Sequence, residues 1–152
     1  MTPLTTLDLY TALSSHDVTA KHFDGVFALD EVAHIRRRPR LIVMNTDPSW
    51  KKGQHWIVIF FPSDGKSVEV FDSLGTAGKT YPKEMMRFLW RFAPLVKLSR
   101  KRVQPADTSL CGLYCLYFAA CRCSKNSMEK ILENIPSPEW IRSCVPIYFA
   151  LN

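Results

Sequence analysis

The sequence has little of what marks membrane, secreted or fibrous chains. Its apolar runs are short: Trp56 to Phe61 is cut off by Pro62, whereas a helix that spans a bilayer needs about 20 apolar residues. No basic segment precedes the first apolar residues of MTPLTTLDLY, and Asp8 interrupts them, which is wrong for a secretory signal. The 5 cysteines are odd in number and four fall between Cys111 and Cys123, unlike the dispersed even set of a disulfide scaffold. They include no CxxC pair and have no histidine among them, so the ligand spacing of a zinc site is missing as well. No repeat or low-complexity segment occurs, and glycine and proline are scattered at turns. The expectation is a soluble, intracellular chain with reduced thiols and no metal or organic cofactor.

What is present is an ordinary globular composition, with 47% hydrophobic and 22% charged residues over 152 positions. That length suits a single domain, residues 1–152, whose core buries roughly 70% of the unfolded-chain surface. Lys and Arg outnumber Asp and Glu by 20 to 14, a net charge of +6 that favours anionic partners.

Periodicity divides the chain into elements. Thr5 or Thr6 can cap a helix through Ser14, with Leu7, Tyr10 and Leu13 at helical spacing. Leu41 to Asn45, His55 to Phe61 and Ser67 to Asp72 are rich in β-branched and aromatic residues and predict an antiparallel sheet. Pro82 opens a helix carrying Met85, Met86, Phe88, Leu89 and Phe92, which Pro94 ends. Val96 to Gln104 alternates apolar and basic residues as an outer strand would, and Cys111 to Cys123 is a nearly all-apolar helix. Ser127 to Asn134 and Pro138 to Cys144 complete the chain as short helices. Helices and strands are segregated, so the class is α+β.

Three residues suggest chemistry. Cys111 stands at the head of a buried helix behind a polar turn, where the helix dipole and unpaired N–H groups favour a thiolate. His55 opens a strong strand in GQHWIVIFF, where its ring can reach a cleft edge as a base, and Asp72 ends the next strand, where antiparallel pairing can bring it beside His55. Taken singly, each also has a plain reading: a small buried hydrophobe, a strand-end surface histidine, and a helper of the SLG turn.

Their order and spacing go further. HW at 55–56, the acid at Asp72, and a glutamine seven residues before a Cys-Gly pair, Gln104 and Cys111-Gly112, resemble the adenains, the adenovirus-type cysteine proteases. FDGVF at 23–27, IVMNT at 42–46 and CGLYCLYF at 111–118 extend the likeness over roughly two thirds of the chain. SUMO-specific proteases share the order His, acid, Gln, Cys, but their glutamine lies one residue closer and an Asp precedes their cysteine, where Leu110 stands here. The resemblance implies a papain-like fold with permuted His-Asp-Gln-Cys order, a central antiparallel or mixed sheet packed on the cysteine helix. It implies Cys111 as nucleophile, His55 as base and then acid, Asp72 as orienting group where many adenains carry Glu, and Gln104 as oxyanion-hole donor with the backbone N–H of Cys111. Gly53, Gln54 and Trp56, flanking His55, would contact substrate.

By the same resemblance the substrates are viral or virus-like precursor proteins cut at Gly-containing sites, and the chain works in the host nucleus and the virion. DNA and an activating peptide are the cofactors such proteases use. Sequence-independent DNA contact would fall on Arg36, Arg37, Arg38 and Arg40 and on Lys97, Arg100, Lys101 and Arg102. No cysteine lies in residues 85–103 to take a disulfide from an activating peptide, so such a peptide would act by strand addition. The competing readings are a ubiquitin- or SUMO-type isopeptidase and a non-catalytic basic DNA-binding or capsid protein that keeps the fold.

Overall fold

The computed structural model of the chain describes residues 3–51, 55–106 and 108–152. The first helix, α1 (Thr6–Ser15), starts where the sequence signals it: Thr5 caps it and exchanges side-chain and backbone hydrogen bonds with Asp8. Its buried face is Leu9, Ala12 and Leu13, while Leu7 and Tyr10 face outward, so of the expected stripe only Leu13 enters the core. A one-turn helix, α2 (Asp17–Ala20), leads into the strands β1 (Phe23–Phe27), β2 (Leu41–Asn45), β3 (Trp56–Phe60) and β4 (Ser67–Phe71).

These strands and β5 (Leu95–Leu98) make one sheet in the order β1-β2-β3-β4-β5. The expected antiparallel core is there, with Val43 opposite Val58 and Val58 opposite Phe71. A parallel strand flanks it on each side, β1 on β2 and β5 on β4, so the sheet is mixed.

Strands β2, β3 and β4 are buried along their whole length because both faces are covered. Alternate residues part to opposite sides. Leu41, Val43, Val58, Phe60 and Phe71 face α4 (Cys111–Cys123) and α1. Ile42, Met44, Ile57, Ile59, Val68 and Val70 face α3 (Lys83–Phe92) through Met85, Phe88 and Leu89. Phe118 of α4 stacks on Phe71 with ring centroids 4.5 Å apart, a contact worth about 1 kcal/mol beyond the area it buries.

The expected outer strand stops at Leu98. Ser99 turns inward, fully buried, and its Oγ accepts the Asp72 backbone N–H, so the following residues wrap the end of β4. The last helices are α5 (Met128–Glu133) and α6 (Pro138–Tyr148); α6 outruns its expected end at Cys144 and continues through Pro146, which supplies no backbone N–H to its last turn. Among the described residues no helix is long and apolar enough to cross a membrane.

Candidate active site

The fold brings three strand and helix ends together. Residue 55 precedes β3, residue 72 follows the antiparallel neighbour β4, and Cys111 is the first residue of α4, which lies against β3. Leu110, the N-cap residue of α4, has no side chain able to cap the helix, and the Gly112 N–H of its first turn bonds the Cys111 side chain. Gly112 lets the N-terminal segment cross the helix start: a Cβ there would lie 3.0 Å from the Leu4 side chain. The Leu4 carbonyl in turn accepts the Trp56 indole N–H at 3.0 Å, which pins the residue beside His55.

His55 Nε2 lies 2.6 Å from Asp72 Oδ1, and Cys111 is close enough to the same ring to raise its pKa, Nδ1 being the nitrogen that Asp72 leaves for the sulfur. The Asp72 carboxylate is fully buried and satisfied on both oxygens. Oδ1 also accepts the Leu74 N–H at 3.0 Å; Oδ2 accepts Lys79 Nζ at 2.8 Å and the Tyr81 hydroxyl. Nothing in the spacing of the sequence pointed to Lys79 or Tyr81. They arrive through the fold of the loop after β4.

Burial works against every charge in this group, and the partners overcome it. Burial lowers His55, but its hydrogen bonds to Asp72 and Cys111 and their negative charges raise it from 6.5 to about 9. Burial raises Asp72, and His55, Lys79 and Tyr81 together hold it well below the usual carboxylate range. Burial likewise raises Cys111, yet the His55 hydrogen bond and charge and the backbone amides of Trp56 and Gly112 bring its thiol below the ordinary value. Cys115, Cys121 and Cys123 go the other way, pushed up by burial, Cys123 to about 11. The arrangement favours a thiolate–imidazolium pair at Cys111 and His55.

Gln104 is buried at the same end of the sheet. Its backbone N–H donates to Ser73 O, its Oε1 accepts the Ser73 hydroxyl at 2.6 Å, and its Nε2 lies 2.9 Å from both Thr108 O and Thr108 Oγ1. The Thr108 carbonyl can only accept, which fixes the amide nitrogen on that side. The amide is thus held at the rim of the site by Thr108, and donation to a substrate oxygen requires it to give up one of those contacts.

A cleft of about 840 Å³ runs past these groups, lined by His55, Trp56, Gln104, Ser109 and Cys111 and also by Leu4 and Asp47. Trp56 is only 9% exposed, so little of its surface reaches the cleft. Gly53 and Gln54 lie outside the described residues. Among the described residues no group of three or more His, Cys, Asp or Glu side chains is placed to hold a metal ion.

The two basic stretches sit apart. Arg36 to Arg40 precede β2, whose start pairs with the end of β3, so they lie at the end of the sheet away from His55. Arg36 and Arg37 are exposed, but Arg38 donates to Phe92 O, Pro62 O and Ser67 O, and Arg40 lies over the Phe60 ring. Lys97, on β5, and Arg100, Lys101 and Arg102 beyond it are exposed; the last three stand at the same end as Asp72.

No model of a known protein family matches the sequence, and no curated protein matches it. Solved structures do share the fold. Two crystal structures of the ASFV pS273R protease, one of them the Se-Met protein, match 98% of this chain with TM-scores of 0.67 and 0.65 at 21% and 19% identity. The chain corresponds to 67% of the length of that protease. At this identity the likeness is one of fold, and it agrees with the α+β cysteine-protease architecture and mixed sheet that the motifs implied.

Proposed function

We propose that this chain is a cysteine endopeptidase working through Cys111, His55 and Asp72, with Gln104 at the oxyanion site. The observation that carries the reading is the placement of the imidazole: His55 is 2.6 Å from a buried carboxylate and shares a cleft with Cys111 at the head of α4, whose thiol its proximity lowers. A protease of known structure has the same fold, which supports the reading.

The chemistry follows from the geometry. The Cys111 thiolate attacks the scissile carbonyl carbon, a C–S bond forms, and the carbonyl electrons move to oxygen. The backbone N–H of Cys111, and Gln104 Nε2 once it releases a Thr108 contact, would donate to that oxyanion. Collapse breaks the C–N bond, and His55 gives its proton to the departing amine. His55, now neutral, takes a proton from water as the oxygen attacks the thioester; the tetrahedral intermediate expels the thiolate, releasing the acid and restoring the ion pair. Asp72 stays ionised and holds the imidazole throughout.

The adenain-like motifs point to viral or virus-like precursors cut at Gly-containing sites, and hence to work in an infected-cell nucleus and in the virion. Sequence-independent DNA contact is assigned to Lys97, Arg100, Lys101 and Arg102, all four exposed and the last three at the end of the sheet that carries Asp72. An activating peptide would add to the free edge of β5, where Leu95 and Leu98 are 55% and 36% exposed. The test is hydrolysis of a fluorogenic peptide panel and of ubiquitin-like fusions by the wild type and Cys111→Ala, with and without DNA. Cleavage of Gly-containing peptides that Cys111→Ala abolishes is expected; preferential release of ubiquitin-like tails would replace the endopeptidase reading with the isopeptidase one.

A further inference from the structure

Asp72 has more partners than a triad acid requires. Its side chain has no exposed surface, and each carboxylate oxygen receives two donors: His55 Nε2 and Leu74 N–H on Oδ1, Lys79 Nζ and the Tyr81 hydroxyl on Oδ2. A buried carboxylate bonded on one oxygen only would leave the other desolvated and unpaired, a costly arrangement. We propose that Lys79 and Tyr81 are positioning residues that clamp Asp72 through Oδ2, and that the positive charge of Lys79 sets the pH range over which Cys111 and His55 remain an ion pair. The inference rests on the reading of Cys111 and His55 as the reacting pair.

The clamp is built into the fold. The loop from Asp72 to Tyr81 is tied down by Gly75 N–H to Asp72 O, Thr76 N–H to Ser99 O, Ala77 N–H to Arg100 O and Lys79 N–H to Thr76 O. Gly75 adopts φ +81°, and a Cβ there would come within 2.7 Å of Arg100 O, so the loop lies directly on the residues after β5. Lys79 and Tyr81 are thereby delivered to one oxygen from seven and nine residues along the chain. The Lys79 ammonium also lies 5.7 Å from the Tyr81 ring centroid, so the two side chains support each other.

The electrostatic consequence has a definite sign. Among the described residues, the ionisable groups facing Asp72 are His55 ahead of β3, Lys79 and Tyr81 from the loop, Cys115 on α4, and Cys111 across the His55 ring. The charges alternate: Lys79 positive, Asp72 negative, His55 positive, Cys111 negative. Lys79 draws part of the carboxylate's field away from the imidazolium and repels it, so it eases loss of the His55 proton. Removing its charge makes His55 hold that proton to higher pH.

The experiment measures Cys111 alkylation by iodoacetamide against pH in the full chain, where fast labelling at low pH reports the ion pair and a second, alkaline step reports loss of the His55 proton. Lys79→Met should move the alkaline step up by ~0.5 to 1 pH unit at low salt, and less at high salt, since the Lys79 side chain is 34% exposed. Lys79→Arg should restore the wild-type step. Tyr81→Phe, which changes no charge, should move it less than Lys79→Met does. Should Lys79→Met fail to fold, Lys79→Gln carries the same expectation. An alkaline step that stays at its wild-type position in the uncharged variant, or that Lys79→Arg does not restore, overturns the inference. A wild type without fast labelling at low pH would overturn the ion-pair reading beneath it.

Discussion

Asp72→Asn removes a charge and keeps a shape, which makes it the sharpest perturbation of the site. His55 is raised from 6.5 to about 9, so Asp72 and Cys111 overcome its burial and leave a net preference for the imidazolium of about 3 kcal/mol. An asparagine that keeps its oxygen toward His55 and Leu74 turns its amide nitrogen onto Lys79, donor against donor, and obliges the Tyr81 hydroxyl to turn and accept. The reversed amide aims N–H at Nε2 and forces the imidazole proton onto Nδ1, facing the sulfur it must deprotonate. Burial of His55, which lowers it, remains in either case. The alkaline limb of kcat/KM should therefore fall from about 9 toward or below 6.5, and the rate near neutral pH by about 10- to 100-fold.

Stability is the weaker assay, because the linked signs oppose. The raised His55 contributes stability that is present below 6.5 and lost as pH rises through about 9, whereas the lowered Cys111 contributes stability that grows as pH rises toward the ordinary thiol value. Reactivity against pH separates what stability blurs. An Asp72→Asn enzyme with its alkaline limb still near 9 and kcat/KM within about twofold of wild type would refute the assigned role.

Two further substitutions probe the surroundings. Gln104→Ala should lower kcat by on the order of 10² to 10³ fold with little change in KM, while iodoacetamide inactivation, which develops no acyl oxyanion, stays within about twofold; a kcat that does not move would return Gln104 to a purely structural link between Ser73 and Thr108. Gly75→Ala should cost about 2 to 4 kcal/mol in urea unfolding, since φ is +81° and the new Cβ meets backbone at 2.7 Å, whereas Gly65→Ala, at φ +71° with nothing within 4 Å, should cost about 1 kcal/mol; equal losses would contradict the tight seating of the loop.

Much of this was legible in the chain. The helix Cys111–Cys123 has the bounds the apolar run gave it, and the three β-rich runs pair antiparallel, because buried elements carry their own pattern. The motif order placed His55, Asp72, Gln104 and Cys111 at one end of the sheet. Other features depend on contacts that no local pattern carries. Phe23–Phe27 joins the sheet as a parallel strand through an irregular register between Phe23 and Gly25, which masks its period. In α1, Leu7 and Tyr10 shared the helical spacing with Leu13, and only the placement of the helix against α4 and β1 selected Leu9 and Ala12 instead. Lys79 and Tyr81 resemble any loop residues in the sequence. Their meeting at Asp72 Oδ2 exists only once Gly75 lets the loop lie on residues 100–102.

The central claim, that Cys111 is a nucleophile activated by His55, is tested most directly by mapping which cysteine labels first with substoichiometric iodoacetamide at about pH 6. Exposure alone favours Cys121, Cys123 and Cys144, which are partly exposed, over Cys111, which is 8% exposed. The account predicts the reverse order: Cys111 labels first, and His55→Ala removes its advantage while the chain stays folded. Preferential labelling of Cys121, Cys123 or Cys144, or a Cys111 rate indifferent to His55→Ala, would contradict it.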